Sequence, residues 1–300
     1  MIFSICHNFL KYFNRLYSNV GTMSDLTEWI PAEDLAFIST DEQHWLKVVF
    51  ERFGGYPSLE QIWSLMDEQW HKLNCNSMAM DSRINAYYSH PVWLLNGLFI
   101  DQHSESIDNR RRFTNWVVNQ SPRRVADFGG GFGNLAGMIA EACPNAEVEI
   151  IEPHPHPLAI GRTARKKNVR YRPELTEDYD ILIATDVFEH VPDPLALVAK
   201  TAMALRPGSL YLIANYFAPV ILCHLPQNFH FRYSWDTALA AMGLDPREKV
   251  AHGRVFVRQQ MLDICAAREI EQRSKRLWSV TSRLPGCIAR PITQMYFNHF

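Results

Sequence analysis

Apolar residues change their spacing along the chain near residue 120. Between Thr40 and Gln120 they recur at the spacing of amphipathic helices. From residue 121 to about 258, short apolar runs alternate with helix-compatible runs, which is typical of a doubly wound α/β sheet. The pattern predicts a helical N-terminal region at 1–120, the sheet domain at 121–258 and a helical C-terminal extension at 259–300.

The first apolar run of the sheet domain leads into a cluster of glycines. The stretch from Val125 to Gly133 reads VADFGGGFG, and a helix-compatible run follows from Asn134 to Cys143. Glycine adopts a positive φ without strain, and the first turn of a helix offers main-chain N–H groups to a ligand. The stretch therefore predicts a strand, a tight turn and a helix around a nucleotide-like cofactor.

Two acidic residues discriminate between the cofactors that such a turn can bind. The run from Gly131 to Ala136 matches the dinucleotide pattern G-x-G-x-x-A, and Glu152 follows about 20 residues later. Asp127 precedes the first glycine by two residues, where a carboxylate repels a pyrophosphate and attracts an aminium group. S-adenosylmethionine (SAM) offers an amino-acid end to Asp127 and ribose hydroxyls to Glu152. We therefore favour SAM and keep a nicotinamide dinucleotide as the alternative.

The fourth predicted strand, Ile181 to Thr185, leads into a further motif. The sequence from Asp186 to Pro194 reads DVFEHVPDP, and Leu205 to Ser209 reads LRPGS. Together with the glycine cluster, these motifs resemble those of class I SAM-dependent methyltransferases of the small-molecule type. They are similar to the motifs of ubiquinone-biosynthesis O-methyltransferases, and the resemblance covers roughly residues 122–258.

The resemblance implies a Rossmann-like methyltransferase sheet, SAM as cofactor, and transfer of a methyl group to a hydroxyl of a small molecule or glycan. It implies that the cofactor is bound by residues of the glycine turn and of the ends of the second and fourth strands: Asp127, Gly129, Gly130, Gly131, Gly133, Glu152, Pro153, His154, Asp186 and Val187. The family usually has an acid after the third strand for the adenine amine, whereas this chain has Tyr171-Arg172-Pro173-Glu174. We therefore expect His154 to pack near the adenine.

Two histidines are candidates for the general base that a hydroxyl acceptor needs. His190 follows the fourth strand, and His230 lies in an aromatic segment after the fifth strand. A structural role for His190, as a hydrogen-bond partner of a loop, is an equal alternative. His154 and His156 form an H-x-H pair without a third ligand nearby, so we expect no metal site.

Aromatic residues are concentrated before the sheet domain, where six of the eight tryptophans lie. Aromatic residues at helical spacing belong to a core more often than to a ligand site. The stretch from Asn85 to Trp93 is the exception, because it carries polar-tipped aromatics beside the helix break at Pro91. It predicts a lid over the acceptor pocket.

Composition excludes several classes of protein. The net charge of −2 does not indicate a nucleic-acid partner. The six cysteines include no C-x-x-C pair, which favours reduced thiols and a cytoplasmic location. No apolar run approaches the ~20 residues of a membrane span. The segment 1–22 is interpreted as an over-long assigned start or a frayed tail, with a peripheral membrane helix as the lesser alternative.

Two other functions stay open at this level. One is a dinucleotide-dependent oxidoreductase, which the position of Asp127 disfavours. The other is an inactive SAM-binding protein that uses its helical region for partners, which the intact glycine and acidic positions disfavour. The sequence indicates no oligomeric state.

Overall fold

The computed structural model describes residues 26–298, so the interpretation of segment 1–22 lies outside the described residues. The chain divides between Ser58 and Leu59 into two compact units. The boundary at residue 120 that the hydrophobic pattern indicates stays a prediction.

The first unit is helical where it is described. A 3₁₀ turn at Leu26–Glu28 is followed by helix α1 (Ala32–Leu35) and helix α2 (Thr40–Phe53). Helix α2 begins with a capping box in which the Ser39 side chain accepts from a backbone N–H of the first turn. It ends at Gly54, whose φ of 68° lies in the left-handed region. Both ends agree with the pattern of caps and breaks in the sequence.

Aromatic residues of this unit form a core. The ring centroid of Trp29 lies 6.3 Å from that of Phe50 and 5.1 Å from that of Tyr56. Phe50 and Tyr56 also contact each other, at 5.2 Å between centroids. These rings stabilise the unit by packing.

The second unit contains a seven-stranded sheet in the described residues, with the order β3-β2-β1-β4-β5-β7-β6. Its strands are β1 Arg124–Phe128, β2 Glu147–Ile151, β3 Val169–Arg172, β4 Tyr179–Thr185, β5 Leu205–Ala214, β6 Leu244–Val250 and β7 Gly253–Arg258. Strands β1 to β5 pair in parallel, and β7 pairs antiparallel with β5 and β6. The predicted doubly wound α/β fold is confirmed. The carboxyl ends of the parallel strands share one edge, where such sheets bind ligands.

Helices surround this sheet and precede it. They are α3 Leu59–Lys72, α4 Ser82–Tyr88, α5 Pro91–Ile100, α6 Ser104–Gln120, α7 Asn134–Ala142, α8 Pro157–Thr163, α9 Pro194–Ala202, α10 Trp235–Met242, α11 Ile264–Thr281 and α12 Gly286–Asn298, with 3₁₀ helices at Phe188–His190 and Pro226–Tyr233. Among the described helices, none combines the length and the apolar character that crossing a bilayer requires.

Local structure sets the ends of several elements. Helix α8 ends at Thr163, because the chain turns there to enter β3. Strand β4 begins at Tyr179, two residues before the predicted start at Ile181, and strand β5 begins at Leu205 with an irregularity in its pairing to β4. Helix α11 begins at Ile264, inside the predicted extension at 259–300, because the Asp263 side chain accepts from Ala266 N–H and caps it.

Both faces of the sheet are covered. On one face, Leu182 and Tyr211 share a buried cluster with residues of α9, α10 and α11. On the other face, Val125 and Ile183 pack with Phe113 of α6 and with α7. Because both faces are buried, the carboxyl edge is where the parallel strands remain accessible to a ligand.

Candidate active site

The glycine turn after β1 is held close to its neighbours. Gly129, Gly131 and Gly133 have φ values of 71°, 49° and 71°, which L side chains rarely adopt. A Cβ at Gly129 would lie 2.5 Å from a methyl of Val187, and one at Gly133 would lie 2.7 Å from Ile150. A Cβ at Gly131 would meet no heavy atom within 4 Å. The turn therefore packs on both neighbouring strand ends and leaves Gly131 open to a ligand.

Asp127 lies under this turn and is 1% exposed. Ala136 N–H donates to its carboxylate, while its Oδ2 is buried without a hydrogen-bond partner in the described residues. Burial, with a smaller contribution from Glu152, raises the pKa of Asp127 to about 7. A buried carboxylate oxygen of this kind lacks a donor, which a cationic group of a ligand can supply.

Glu152 follows β2 on the same edge of the sheet. Its carboxylate accepts from His154 N–H at 3.2 Å and from Gly131 N–H. Burial raises the pKa of Glu152, and these two hydrogen bonds oppose the effect. Pro153 and His154 themselves are exposed. Glu152 is thus coupled directly to the glycine turn.

The second histidine of the H-x-H pair caps a helix. His156 Nδ1 accepts from Leu158 N–H at 3.1 Å at the start of α8. The His156 ring also stacks on Phe132 of the glycine turn, with 5.5 Å between centroids. Phe132 in turn fills the space beside Gly97 of α5, where a Cβ would lie 2.4 Å from its ring. Helix α5 therefore packs directly on the glycine turn.

Tyr171 of β3 supports the turn from the other side. Its hydroxyl donates to Gly131 O at 2.9 Å, and burial raises its pKa. This residue stands in the segment where the resembled family usually has an acid. Its role was missed in the sequence, because only the pairing of β2 with β3 brings it to Gly131.

The end of β4 has an unusual backbone. Asp186 has a φ of 55°, which is rare for a residue other than glycine. Its N–H donates to Ala214 O at 2.8 Å, and its side chain is 60% exposed. His252, from the turn between β6 and β7, places Nε2 4.0 Å from Asp186 Oδ1. Strained residues of this kind are concentrated at functional sites.

Glu189, His190 and His224 form a cluster just beyond this strand end, with ligand-type atoms within 4.8 Å of one another. His190 Nδ1 lies 3.1 Å from Cys223 O, and His224 Nδ1 lies 2.9 Å from Ala218 O. Because a carbonyl oxygen only accepts, each Nδ1 carries the proton and each Nε2 is left as an acceptor.

Glu189 and His190 have different surroundings within this cluster. Glu189 is buried, and its carboxylate accepts from Tyr216 N–H at 3.0 Å and from the Asn215 side chain. Burial lowers the pKa of His190 to about 4, although the nearby Glu189 carboxylate opposes that shift. His190 is therefore neutral at physiological pH and can accept a proton at Nε2.

An aromatic wall faces this cluster. The ring centroids of Tyr88 and Trp93 lie 6.4 Å and 6.5 Å from that of His190, and 5.0 Å from each other. Both side chains are half-buried. They flank the break between α4 and α5, where His90 Nδ1 accepts from Val92 N–H. The stretch predicted as a lid thus contributes two rings beside His190.

Comparison with known proteins identifies the family. The profile described as "Methyltransferase domain" matches residues 100–272. The chain belongs to this methyltransferase family. It is 31% identical over 163 residues to the ubiquinone biosynthesis O-methyltransferase of Acinetobacter baumannii (strain ACICU), covering 43% of this chain and 67% of that enzyme. The corresponding enzyme of Pseudomonas fluorescens (strain Pf0-1) is 28% identical over 142 residues, covering 39% of this chain and 60% of that enzyme.

Two solved structures have a similar fold over part of their length. Human N-acetylserotonin methyltransferase in complex with SAM has a TM-score of 0.46 at 13% identity, covering 66% of this chain and 67% of that one. A putative O-methyltransferase from Nostoc punctiforme PCC 73102 has a TM-score of 0.47 at 15% identity, covering 66% and 71%. The family assignment makes the protein a class I SAM-dependent methyltransferase and sets aside the dinucleotide alternative.

The residues present fit the SAM of this methyltransferase family. The buried Asp127 Oδ2 lacks a donor in the described residues, and the ammonium of the methionine end is a donor of opposite charge. Asn134, at the start of α7, likewise has a buried side-chain nitrogen with no partner in the described part of the chain. Gly131 lies between Asp127 and Asn134 in the sequence, and its N–H donates to Glu152. A Cβ at Gly131 would meet no heavy atom within 4 Å, which leaves room for a ligand there.

The two predicted bases of the methyltransferase lie in different surroundings. His230 is buried, and its ring lies 4.1 Å from that of Phe231 between centroids, tilted by 45°. Its Nε2 lies 3.9 Å from Glu271 Oε1 of α11. Burial lowers its pKa to about 4. His190 contacts the aromatic wall and His224, whereas the described contacts of His230 are with its own 3₁₀ helix and α11. The structure does not bring the two histidines into one cluster.

Sequence reasoning missed His224 and His252 of the methyltransferase. Neither residue belongs to the motifs that the sequence analysis identifies. Both lie on loops whose position depends on pairing between strands far apart in the chain. The sequence signal for them is a histidine in the segment after β5 and a histidine in the turn between β6 and β7, because both segments lie at the carboxyl edge.

Proposed function

We propose that this methyltransferase transfers the methyl group of SAM to a hydroxyl of a small molecule or glycan, with His190 as general base. The observation that carries the proposal is the position of His190, whose Nδ1 contacts Cys223 O, which leaves Nε2 as an acceptor, and whose ring lies beside the rings of Tyr88 and Trp93. The similarity to ubiquinone biosynthesis O-methyltransferases supports an oxygen acceptor. Both pieces of support concern the acceptor side of the site.

SAM, when bound, supplies an electrophilic methyl on a sulfonium, and its transfer is an in-line displacement that depends mainly on alignment. The proton that the acceptor hydroxyl gives up would go to Nε2 of His190. The buried Glu189 carboxylate stabilises the imidazolium that forms. Cys223 O keeps the His190 ring in the tautomer that can accept.

Cofactor binding follows from the carboxyl edge of the sheet. In the proposal, Asp127 binds the ammonium of the methionine end, Glu152 binds the ribose hydroxyls, and the glycine turn approaches the cofactor through its main chain. Val187, which packs on Gly129, supports that turn from β4. Asp186, Pro153 and His154 line the cofactor on the acceptor and adenine sides.

The acceptor side involves the helical region that precedes the sheet. Tyr88 and Trp93 act as the lid that holds the acceptor ring or apolar body against His190. Leu222 N–H donates to Asp67 at 2.7 Å, and Gln227 donates to Ser77 O at 2.8 Å. These hydrogen bonds tie the segment after β5 to helix α3 and the loop that follows it. The segment that carries His224 is thereby anchored to the helical region that precedes the sheet.

The free cysteines of the described residues support the predicted reducing compartment, the cytoplasm. They are Cys75, Cys143, Cys223, Cys265 and Cys287. Thiols persist unpaired in the cytosol, where disulfides are rare. A location measured with the tagged full chain tests this part.

The proposal is tested with SAM labelled in its methyl group and a panel of phenols, glycans and amines of matched size. We expect label in a methyl ether, identified by mass spectrometry, and no label in the matched amines. Transfer to nitrogen acceptors only would contradict the hydroxyl assignment while leaving the SAM-dependent activity intact. The exposed His71 of α3 supplies the control variant His71→Gln, which should keep full activity.

A further inference from the structure

The C-terminal helix α12 presents two contrasting faces. Ala289, Thr293 and Phe297, at intervals of four residues, are 3%, 5% and 7% exposed and face the protein. At the start of the helix, a Cβ at Gly286 would lie 3.2 Å from the hydroxyl of Tyr233. Helix α12 therefore packs along one face on the 3₁₀ helix Pro226–Tyr233, and this packing determines which of its faces points outward.

The outward face is apolar, which is unusual for a seated surface helix. An apolar residue recurs every four positions from the end of α11 through α12, and each member of the series is exposed. The series, called here the C-terminal stripe, comprises Val280, Leu284, Ile288, Ile292 and Tyr296, with Met295 beside it. Met295 is 63% exposed and Val280 is 69% exposed. Ile288, Ile292 and Tyr296 share one face of α12, whereas Val280 and Leu284 precede that helix. An exposed apolar face of this kind marks a surface that binds something.

The charged side chains of the segment that carries the stripe are of one sign. No aspartate or glutamate occurs from Gln272 to Phe300, whereas the same segment has the bases Arg273, Lys275, Arg276, Arg283 and Arg290. Arg283 and Arg290 are exposed within the span of the stripe. The whole chain carries a net charge of −2, so this segment is a local concentration of positive charge.

We propose that the C-terminal stripe docks on an anionic lipid bilayer. The apolar side chains insert at the boundary between headgroups and acyl chains, and Arg283 and Arg290 bind lipid phosphates. Helix α12 has 13 residues, fewer than the ~20 that span a bilayer, so it lies in the plane of the surface.

A second copy of the chain is the weaker candidate for the same surface. A symmetric contact between two stripes would bring two acid-free basic segments together. Like charges in close contact repel, whereas an anionic surface neutralises them. Charge complementarity therefore selects the membrane. This inference concerns a surface outside the cofactor site and does not depend on the acceptor.

The test measures binding of the full chain to vesicles. The probes are phosphatidylcholine vesicles with and without phosphatidylglycerol, and bound protein is measured by co-sedimentation. We expect binding to the anionic vesicles that weakens with added salt and is absent from the neutral ones. Two double variants should each lower the partition coefficient about tenfold or more relative to the parent chain. They are Ile288→Glu with Ile292→Glu, and Arg283→Glu with Arg290→Glu.

Controls separate this docking from folding and from general stickiness. Met203, 71% exposed at the end of α9, supplies Met203→Glu, which should bind vesicles like the parent chain. Unchanged SAM binding shows that each variant is folded. The proposal would be overturned if the parent chain did not bind anionic vesicles, or if both double variants bound them as strongly as the parent chain does. A different outcome would assign the stripe to a second copy of the chain. In that outcome the parent chain binds no vesicles, light scattering shows that it dimerises, and Ile288→Glu with Ile292→Glu abolishes the dimer.

Discussion

The imidazole rings of His190 and His224 lie 4.8 Å apart between centroids and meet at 81°. Nδ1 of each ring contacts a backbone carbonyl of the segment after β5, and both rings lie in one cluster with the buried Glu189. The contact of His190 with Cys223 O is the loop hydrogen bond that a structural role expects, and it leaves Nε2 for the role of base. Because the two rings are in contact, variants of His190 and of His224 have to be compared.

Replacing His190 tests the base directly. His190→Gln should lower the single-turnover rate at saturating SAM by about 10²–10⁴-fold, because the acceptor proton loses its recipient. SAM affinity should stay near that of the parent chain, since no cofactor contact is removed. His224→Gln should have a smaller effect through the packing of the pair. A loss below fivefold in His190→Gln, with His230→Gln slowed instead, would move the base to the other predicted histidine.

The pH dependence of the rate should reflect the buried ring. Burial lowers the pKa of His190 to about 4, and only the neutral ring accepts a proton. The rate should therefore hold as pH falls through 6.5, the ordinary value, and decline only as pH approaches the lowered pKa. A pH series of single-turnover rates with saturating SAM and acceptor measures this. An acid limb centred near 6.5 that disappears in His190→Gln would contradict the lowered pKa.

Asp127 should link stability and cofactor binding in opposite directions. Its pKa is raised from 3.8 to about 7 in the folded chain, so the folded state binds the proton more tightly than the unfolded state. Stability without SAM should then fall as pH rises from about 4 to about 7. Asp127→Asn removes that dependence and should raise the free energy of unfolding at pH 8 by about 1–3 kcal/mol.

The same variant should bind SAM more weakly, by about 1.5–3 kcal/mol, because the charged partner of the ammonium is lost. Calorimetry of SAM binding and thermal unfolding at pH 5 and pH 8 measure both effects. Asp127→Asn retains the oxygen that accepts from Ala136 N–H, which isolates the charge. Unchanged SAM affinity together with unchanged stability would remove Asp127 from the cofactor site.

Helix α5 should transmit changes to the glycine turn through one close contact. Gly97→Ala places a Cβ 2.4 Å from the Phe132 ring, so Phe132 must move, and the free energy of unfolding should fall by about 1–3 kcal/mol. Displacement of Phe132 should also raise the dissociation constant of SAM. Denaturant unfolding and calorimetry measure these two quantities.

Gly137→Ala on α7 is the matched control for that change. A Cβ there meets only the flexible end of Lys166, at 3.3 Å, and alanine favours a helix over glycine by roughly 0.5–1 kcal/mol. We expect unchanged or slightly higher stability and unchanged SAM binding. Equal effects of the two substitutions would show that the α5 contact has no special role.

The sequence alone determined the cofactor side of this protein. Parallel strands end at one edge of a sheet, so the acids at 127, 152 and 186 were expected together once the strands were recognised. Glycine spacing and the residues after β4 are local patterns, and local patterns predict local structure. The family assignment and the sheet order confirm the fold and SAM as cofactor, whereas the individual cofactor contacts stay predictions.

Only the tertiary structure decided the acceptor side and the outward faces. Tyr171 reaches Gly131, and Tyr88 and His224 reach His190, through contacts spanning at least 34 residues. Such contacts depend on strand register and helix packing, which no short pattern encodes. The same holds for α12, whose apolar spacing suits either of its faces until packing on Tyr233 leaves the C-terminal stripe exposed.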